Sequence, residues 1–157
     1  MKIRPASPAD VGQITACICE AFLPYIERMG KQPAPMLADY AAQLETRAIF
    51  VAARGDAVWG VVVFDVQAAE FWIEAVAVRS AHRGTGVGRQ LLQFAEAHAA
   101  RLGHATVDLV THQLMTENRA LYERIGYVSQ GARTEAGYAR VHYRKTLGAD
   151  APGAART

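Results

Sequence analysis

Apolar residues recur along this chain at two different periods, and the switches between them mark out its elements. Val11, Ile14, Ile18 and Phe22 fall at helical spacing after "SPAD", where Ser7 can cap, Pro8 suits the first helical position and Asp10 lies in the first turn. This predicts a helix down to about residue 22. A short strand over residues 2 to 5 precedes it, and "GKQPAPM" (30 to 36), with one glycine and two prolines, breaks the pattern after it. A further short helix fits residues 37 to 45. "AIFVAA" and "AVWGVVVF" read as strands joined through Arg54-Gly55-Asp56, and "EFWIEAVAV" (70 to 78) reads as a third, together suggesting an antiparallel meander.

The helical period returns at Val87, Leu91, Phe94, Ala95, His98 and Leu102, with Gly103 placed to end the helix, and "ATVDLVT" follows as another strand. Strand 70–78, helix 87–102 and strand 105–111 make a βαβ unit, so the two strands should run parallel with a right-handed crossover. In "TENRALYERIGY", Asn118 stands before a predicted short helix and Gly126 after it, with Leu121, Tyr122 and Ile125 on one side. A last hairpin is expected from "YVSQGAR" and "YARVHYRKTL". The pattern suggests one domain of mixed α/β class over residues 1 to 147. The remaining "GADAPGAART" (148 to 157) has nothing to bury and is expected to be a disordered tail.

Composition narrows the function classes. At 157 residues, 51% hydrophobic and 20% charged, the chain suits a single soluble domain with a real core. No apolar run approaches the ~20 residues needed to span a bilayer, and "MKIRPASPAD" lacks the apolar core of a secretory signal, so a cytoplasmic location without a membrane partner is expected. A formal charge of +2, with no segment interleaving basic and aromatic residues, argues against nucleic acid. Cys17 and Cys19 lie two apart in a helical pattern, cannot bridge each other and read as small buried apolar residues. Two thiols give no metal framework, and His82, His98, His104 and His142 show no mutual spacing that suggests a metal. A small-molecule or peptide partner is expected.

Three glycines at alternate positions, Gly84, Gly86 and Gly88, lie between the third strand and the long helix, at the strand's carboxyl end where open sheets bind ligands. Such a turn presents unpaired helix amides to an anion, so a phosphate is the expected guest. A dinucleotide fingerprint fails because the sixth position from Gly84 is Arg89, and a nucleoside-triphosphate loop fails because no lysine or hydroxyl follows Gly88. What remains, Arg83-Gly84-Thr85-Gly86-Val87-Gly88, is an R-x-x-G-x-G run that resembles the pyrophosphate loop of the GNAT superfamily of N-acetyltransferases. With "ENRALYERIGY" as its second motif, the resemblance covers nearly the whole chain.

The resemblance implies a mostly antiparallel central sheet flanked by helices, with a parallel strand pair splayed apart by acetyl-CoA, the acetyl donor. It implies that Arg83, Gly84, Thr85, Gly86, Val87 and Gly88 hold the pyrophosphate, with Arg79 and Arg89 adding positive potential nearby. Backbone groups of Val76 and Val78 would pair with the pantetheine arm, Asn118 would contact the same region, and Tyr122 would point at the thioester sulfur. A phenol there can protonate a developing thiolate; packing beside Leu121 and Ile125 is the plainer role for Tyr122.

For the base, Glu74 leads, because period-two alternation puts it with Val76 and Val78 in an apolar strand where a lone charge is costly. An ion-paired strand glutamate is an equally ordinary reading. His112 is the second candidate, and Asp108 reads as a residue on the solvent side of its strand. Residues 21 to 36 should wall the acceptor side, with Tyr25 and Glu27 suited to a cationic amine. The implied function is direct transfer of an acetyl group to a primary amine of a small molecule or peptide. A non-catalytic acyl-CoA-binding module or sensor is the alternative, and a homodimer is left open.

Overall fold

Seven strands form one sheet in the order β1-β2-β3-β4-β5-β7-β6: β1 (Lys2–Pro5), β2 (Ala48–Arg54), β3 (Ala57–Asp65), β4 (Trp72–Val78), β5 (Thr106–His112), β6 (Val128–Glu135) and β7 (Tyr138–Thr146). Among the described residues four α-helices accompany them: α1 (Val11–Met29), α2 (Tyr40–Thr46), α3 (Val87–Arg101) and α4 (Thr116–Arg124). This computed structural model describes residues 1–66 and 69–148; of the tail expected over 148–157, residues 149–157 lie outside the described residues. Every strand pairing is antiparallel except β4 with β5. This is the mixed, mostly antiparallel sheet with one parallel pair that the sequence suggested. The β6–β7 hairpin docks through its second strand, so β7 lies between β5 and β6. Among the described residues no helix is long and apolar enough to cross a membrane.

The sheet is covered on both faces, which is why "VVVF" is a continuous apolar run and not an alternating one. Val62 and Phe64 pack with Leu91, Leu92 and Ala95 of α3, whereas Val61 and Val63 pack with Ile14, Cys17 and Ile18 of α1. Gly60 brings α3 close to the sheet: a Cβ there would lie 2.9 Å from Leu91 Cδ1 and 3.0 Å from Val87 Cγ1. A glycine inside a strand pattern is the signal for such an approach.

Helix α1 runs seven residues past the expected end, to Met29, and stops at Gly30 with φ +73°. Tyr25 stays buried, so the apolar face continues through the interior Pro24. A proline there has no N–H for the carbonyl of Glu20, one turn back. That freed carbonyl accepts from Arg83 of the glycine loop described below.

Asp10 fixes the entry to α1. Its carboxylate accepts from Arg4 Nη1 and Nη2 at 2.7 and 3.0 Å and from the Ser7 amide at 2.8 Å, and it is only 5% exposed. The Arg4 hydrogen bonds, opposed by burial, hold its carboxyl down at about 2. A carboxyl depressed below its unfolded value of about 3.9 stabilises the fold above that pH and ceases to do so as the pH falls through its folded value. Asp10→Asn is therefore expected to lose about 2 kcal/mol at pH 7, with the gap to wild type closing between about pH 4 and pH 2. Urea unfolding at a series of pH values checks this, and a gap independent of pH would assign the loss to something other than the ion pair.

Candidate active site

Strands β4 and β5 pair only at Trp72↔Asp108 and Ile73↔Leu109, and beyond that they part. The divergence follows a bulge: Val63 pairs with Ala75 while the next residue, Phe64, pairs with Ile73, leaving Glu74 as the extra residue. Past the bulge, Val76 and Val78 pair with Val62 and Gly60 on one side and have an open edge toward β5. The alternation expected to align Glu74 with Val76 and Val78 is broken here. The Glu74 carboxylate accepts from Arg47 Nε at 2.6 Å, just after α2.

Asp108, in the first of the two β4–β5 pairs and one residue before the strands separate, is not on a solvent face. It is fully buried, and its Oδ1 lies 2.8 Å from His142 Nε2 and accepts from Arg144 Nε at 2.8 Å. Both partners come from β7, whose Arg144 is the register partner of Asp108.

The glycine loop is held open by its backbone conformation. Gly84 and Gly86 have φ of +73° and +90°, and no atom lies within 4 Å of where their Cβ atoms would be. Gly88 serves packing, since a Cβ would sit 3.4 Å from Val78 Cγ2. The first helical bond of α3 runs from the Gln90 amide to the Gly86 carbonyl at 3.0 Å, so the amides of Val87, Gly88 and Arg89 have no partner within the helix.

Several contacts tie the loop to the scaffold. The Thr85 hydroxyl donates to the His82 carbonyl, and the His82 ring stacks on Trp59 at 4.0 Å. Arg83 Nη2 donates to the carbonyls of Glu20 and Ala21 at 3.4 and 3.5 Å, using the acceptor that Pro24 left free. Arg79 pairs with the Glu20 carboxylate at 3.2 Å. Arg89 has no carboxylate partner among the described residues.

Two cavities flank these elements. One of about 780 Å³ lies over the loop and is lined by Val76, Val78, Arg83, Gly84, Gly86, Val87, Gly88, Asn118 and Tyr122. Thr85 is the one predicted loop residue that does not line it. The other, of about 320 Å³, is lined by Tyr40, Trp72, Glu74, His112, Tyr138 and Arg140 among others. Phe22, Val76, Asn118 and Tyr122 line both.

Asn118 stands in the first turn of α4, not before it, and Tyr122 follows one turn later. The Tyr122 ring is 7% exposed and packs against Tyr127 and Tyr143, with centroids 5.9 and 6.2 Å away. Its hydroxyl has no hydrogen-bond partner among the described residues, and burial pushes its pKa up, so it remains a protonated phenol. His112 Nδ1 accepts from the Leu114 amide at 3.1 Å, which puts the proton of the neutral ring on Nε2. Burial, then the charges of Lys31 and Arg140, lower its pKa and keep it neutral.

Tyr25 and Glu27, expected together on the acceptor side, are not brought to the smaller cavity. Tyr25 lines the larger cavity and donates to Glu117 Oε2 at 3.1 Å, while Glu27 is exposed and lines neither cavity. Arg28 clamps the same Glu117 with two bonds of 2.8 Å and holds its carboxyl at about 2.

The family model for the acetyltransferase (GNAT) domain matches residues 45–129, more than half of the chain and the span that holds β4, the loop, α3, β5 and α4. The chain belongs to the GNAT acetyltransferase family. Among solved structures, this acetyltransferase is similar to a GCN5-related N-acetyltransferase from Rhodopseudomonas palustris, at 20% identity and TM-score 0.77, covering 93% of this chain and 95% of that one. A histone acetyltransferase HPA2 and related acetyltransferase from Corynebacterium glutamicum is 27% identical at TM-score 0.64, over 94% and 96% of the two chains. A PaiA N-acetyltransferase from Thermoplasma acidophilum, solved in complex with coenzyme A, is 13% identical at TM-score 0.76, over 93% and 98%. No curated protein matches the sequence.

Proposed function

We propose that this acetyltransferase moves the acetyl group of acetyl-CoA to a primary amine of a small molecule or peptide by direct attack. The observation that carries this reading is the meeting of two cavities at Val76, Asn118 and Tyr122, one of them floored by the open glycine loop. The residues fit the donor. Unpaired helix amides and two glycines with open space before them suit a pyrophosphate, and the free edge of β4 suits an amide-bearing arm. Bound there, acetyl-CoA supplies an acetyl group activated by its thiol leaving group.

The protein's part is binding, orientation and proton handling. Val87, Gly88 and Arg89 offer amides to the phosphates, with Arg83, Gly84, Thr85 and Gly86 shaping the loop. Val76 and Val78 offer backbone groups to the pantetheine arm, and Asn118 borders the same channel. Tyr122 holds a proton for the departing sulfur. No acyl-enzyme is invoked: Cys17 and Cys19 line neither cavity, and burial pushes the Cys17 thiol up to about 12. Release of thiol from acetyl-CoA in the presence of an amine panel, with mass analysis of the acceptor, tests the reading; absence of turnover with every amine would remove it.

In this reading Glu74 receives the proton of the incoming ammonium, directly or through water. An alkyl ammonium of pKa about 10.4 is mostly protonated at pH 7, so baring its lone pair costs roughly 5 kcal/mol. Arg47 engages only Oε1 of Glu74, while the side chain borders the smaller cavity. His112 shows a donor, not a lone pair, and is the weaker base. Glu74→Gln is therefore expected to depress kcat/KM most at low pH and to recover as rising pH supplies neutral amine, about tenfold per unit. Parallel pH–rate profiles for wild type and variant would end the base assignment.

A further inference from the structure

The far wall of the smaller cavity presents a guanidinium with no hydrogen bond among the described residues: Arg140 Cζ stands 5.2 Å over the Tyr138 ring, which leaves the edge donors of the fork unengaged by protein. This β7 side chain is only 25% exposed. Its carboxylate neighbour, Glu135, is 3.7 Å away and is held more closely by Arg133. A guanidinium carries five donors in a planar fork that matches a carboxylate, and withdrawing it from water with those donors unmet is unfavourable.

The surroundings reinforce its sign. Lys31 Nζ lies 3.8 Å over the Tyr138 ring and donates to the Gly137 carbonyl at 2.5 Å. His112, the register partner of Arg140, is kept neutral partly by these two cations. Glu74, the acidic residue lining the cavity, sits on β4 with β5 between it and β7. The walls between are apolar or aromatic: Phe22, Met29, Trp72, Met115 and Tyr138.

We infer that the acceptor is a small aminocarboxylate with an apolar or aromatic body, its amine directed to Glu74 and Tyr122 and its carboxylate paired with Arg140. This rests on the acetyl-transfer reading above and specifies its substrate. A volume of about 320 Å³ suits a whole small molecule. The segment after α1 and the start of β7, which both border the cavity, are tied together by Tyr138 Oη donating to the Gln32 carbonyl at 2.9 Å. A diamine would bring a second cation against Arg140 and Lys31, so that class is disfavoured.

The test compares three acceptors sharing one aromatic skeleton: the amino acid, its primary amide and its decarboxylated amine. Thiol release and product mass are followed at saturating acetyl-CoA, and CoA affinity is measured by calorimetry for each protein. Wild type is expected to prefer the carboxylate by about 10- to 100-fold in kcat/KM, expressed in KM. Arg140→Gln should bring the ratio near one without changing CoA affinity, Arg140→Lys should restore part of it, and Arg140→Glu should reverse it toward the decarboxylated amine. A wild type that binds CoA but accepts the amide, the amine or a peptide terminus as well as the carboxylate would overturn this inference and leave acetyl transfer standing. Failure of wild type to bind CoA would overturn both.

Discussion

Gly86→Asp is expected to abolish CoA binding, weakening it by more than about 100-fold, in a protein that still folds. The position has φ +90°, where an L side chain is strained by roughly 1–2 kcal/mol, so melting should fall by a few degrees and no more. No protein atom lies within 4 Å of the new Cβ, so the core has no clash to absorb. The carboxylate instead projects into the open space before the loop, beside the amides of Val87, Gly88 and Arg89. A negative charge there meets the phosphates it is meant to exclude, in a site where the helix end otherwise favours anions. Gly88 is the less informative position, because a side chain there also presses on Val78. Calorimetry with CoA, alongside circular dichroism, decides the matter: unchanged affinity in a folded variant removes the phosphate loop from the site.

The glycine turn between β4 and α3 was legible because its conformation is local. Arg83 to Gly88 sit between a period-two and a period-3.6 segment, and the requirement for glycine at Gly84 and Gly86 is a positive φ set within the turn itself, whereas Gly88 answers to Val78 of β4. The parallel β4–β5 pair followed from the intervening helix for the same reason. What stayed hidden depends on partners far along the chain. The helix through Pro24 is stabilised where Arg83, 63 positions from Glu20, takes the carbonyl that the proline cannot bond. Asp108 resembles an outward strand residue until β7 inserts beside β5 and brings Arg144 and His142 to its carboxylate. Nothing in "FWIEAVAV" marks Glu74 as a bulge, because the register shift is defined by pairing with β3. The smaller cavity was least legible, being assembled from the segment after α1, the bulge of β4, the end of β5 and β7. Arg140 therefore read as one more strand residue.

Tyr122→Phe is expected to lower kcat by about 10²- to 10⁴-fold while CoA affinity changes little. The substitution is clean because the ring and the hydroxyl have separable surroundings. The ring is held by Tyr127 and Tyr143, which are themselves anchored: Tyr127 donates to Glu96 at 2.9 Å, and Tyr143 donates to Glu123 at 2.5 Å and accepts from Arg119 at 3.1 Å. The Tyr122 hydroxyl has no such anchor among the described residues and lies where the two cavities join. Phenylalanine keeps the packing and removes a hydroxyl without a hydrogen bond among the described residues, so melting temperature should change little. Because burial raises the phenol's pKa, wild type keeps this proton well into the alkaline range, and its rate should show no loss from Tyr122 ionisation below about pH 10. The measurements are kcat and KM for acetyl-CoA on one accepted amine, with single-turnover rates to isolate the chemical step. A variant with normal turnover at saturation but weak CoA binding would make Tyr122 a wall of the channel, and the proton for the leaving sulfur would have to come from solvent.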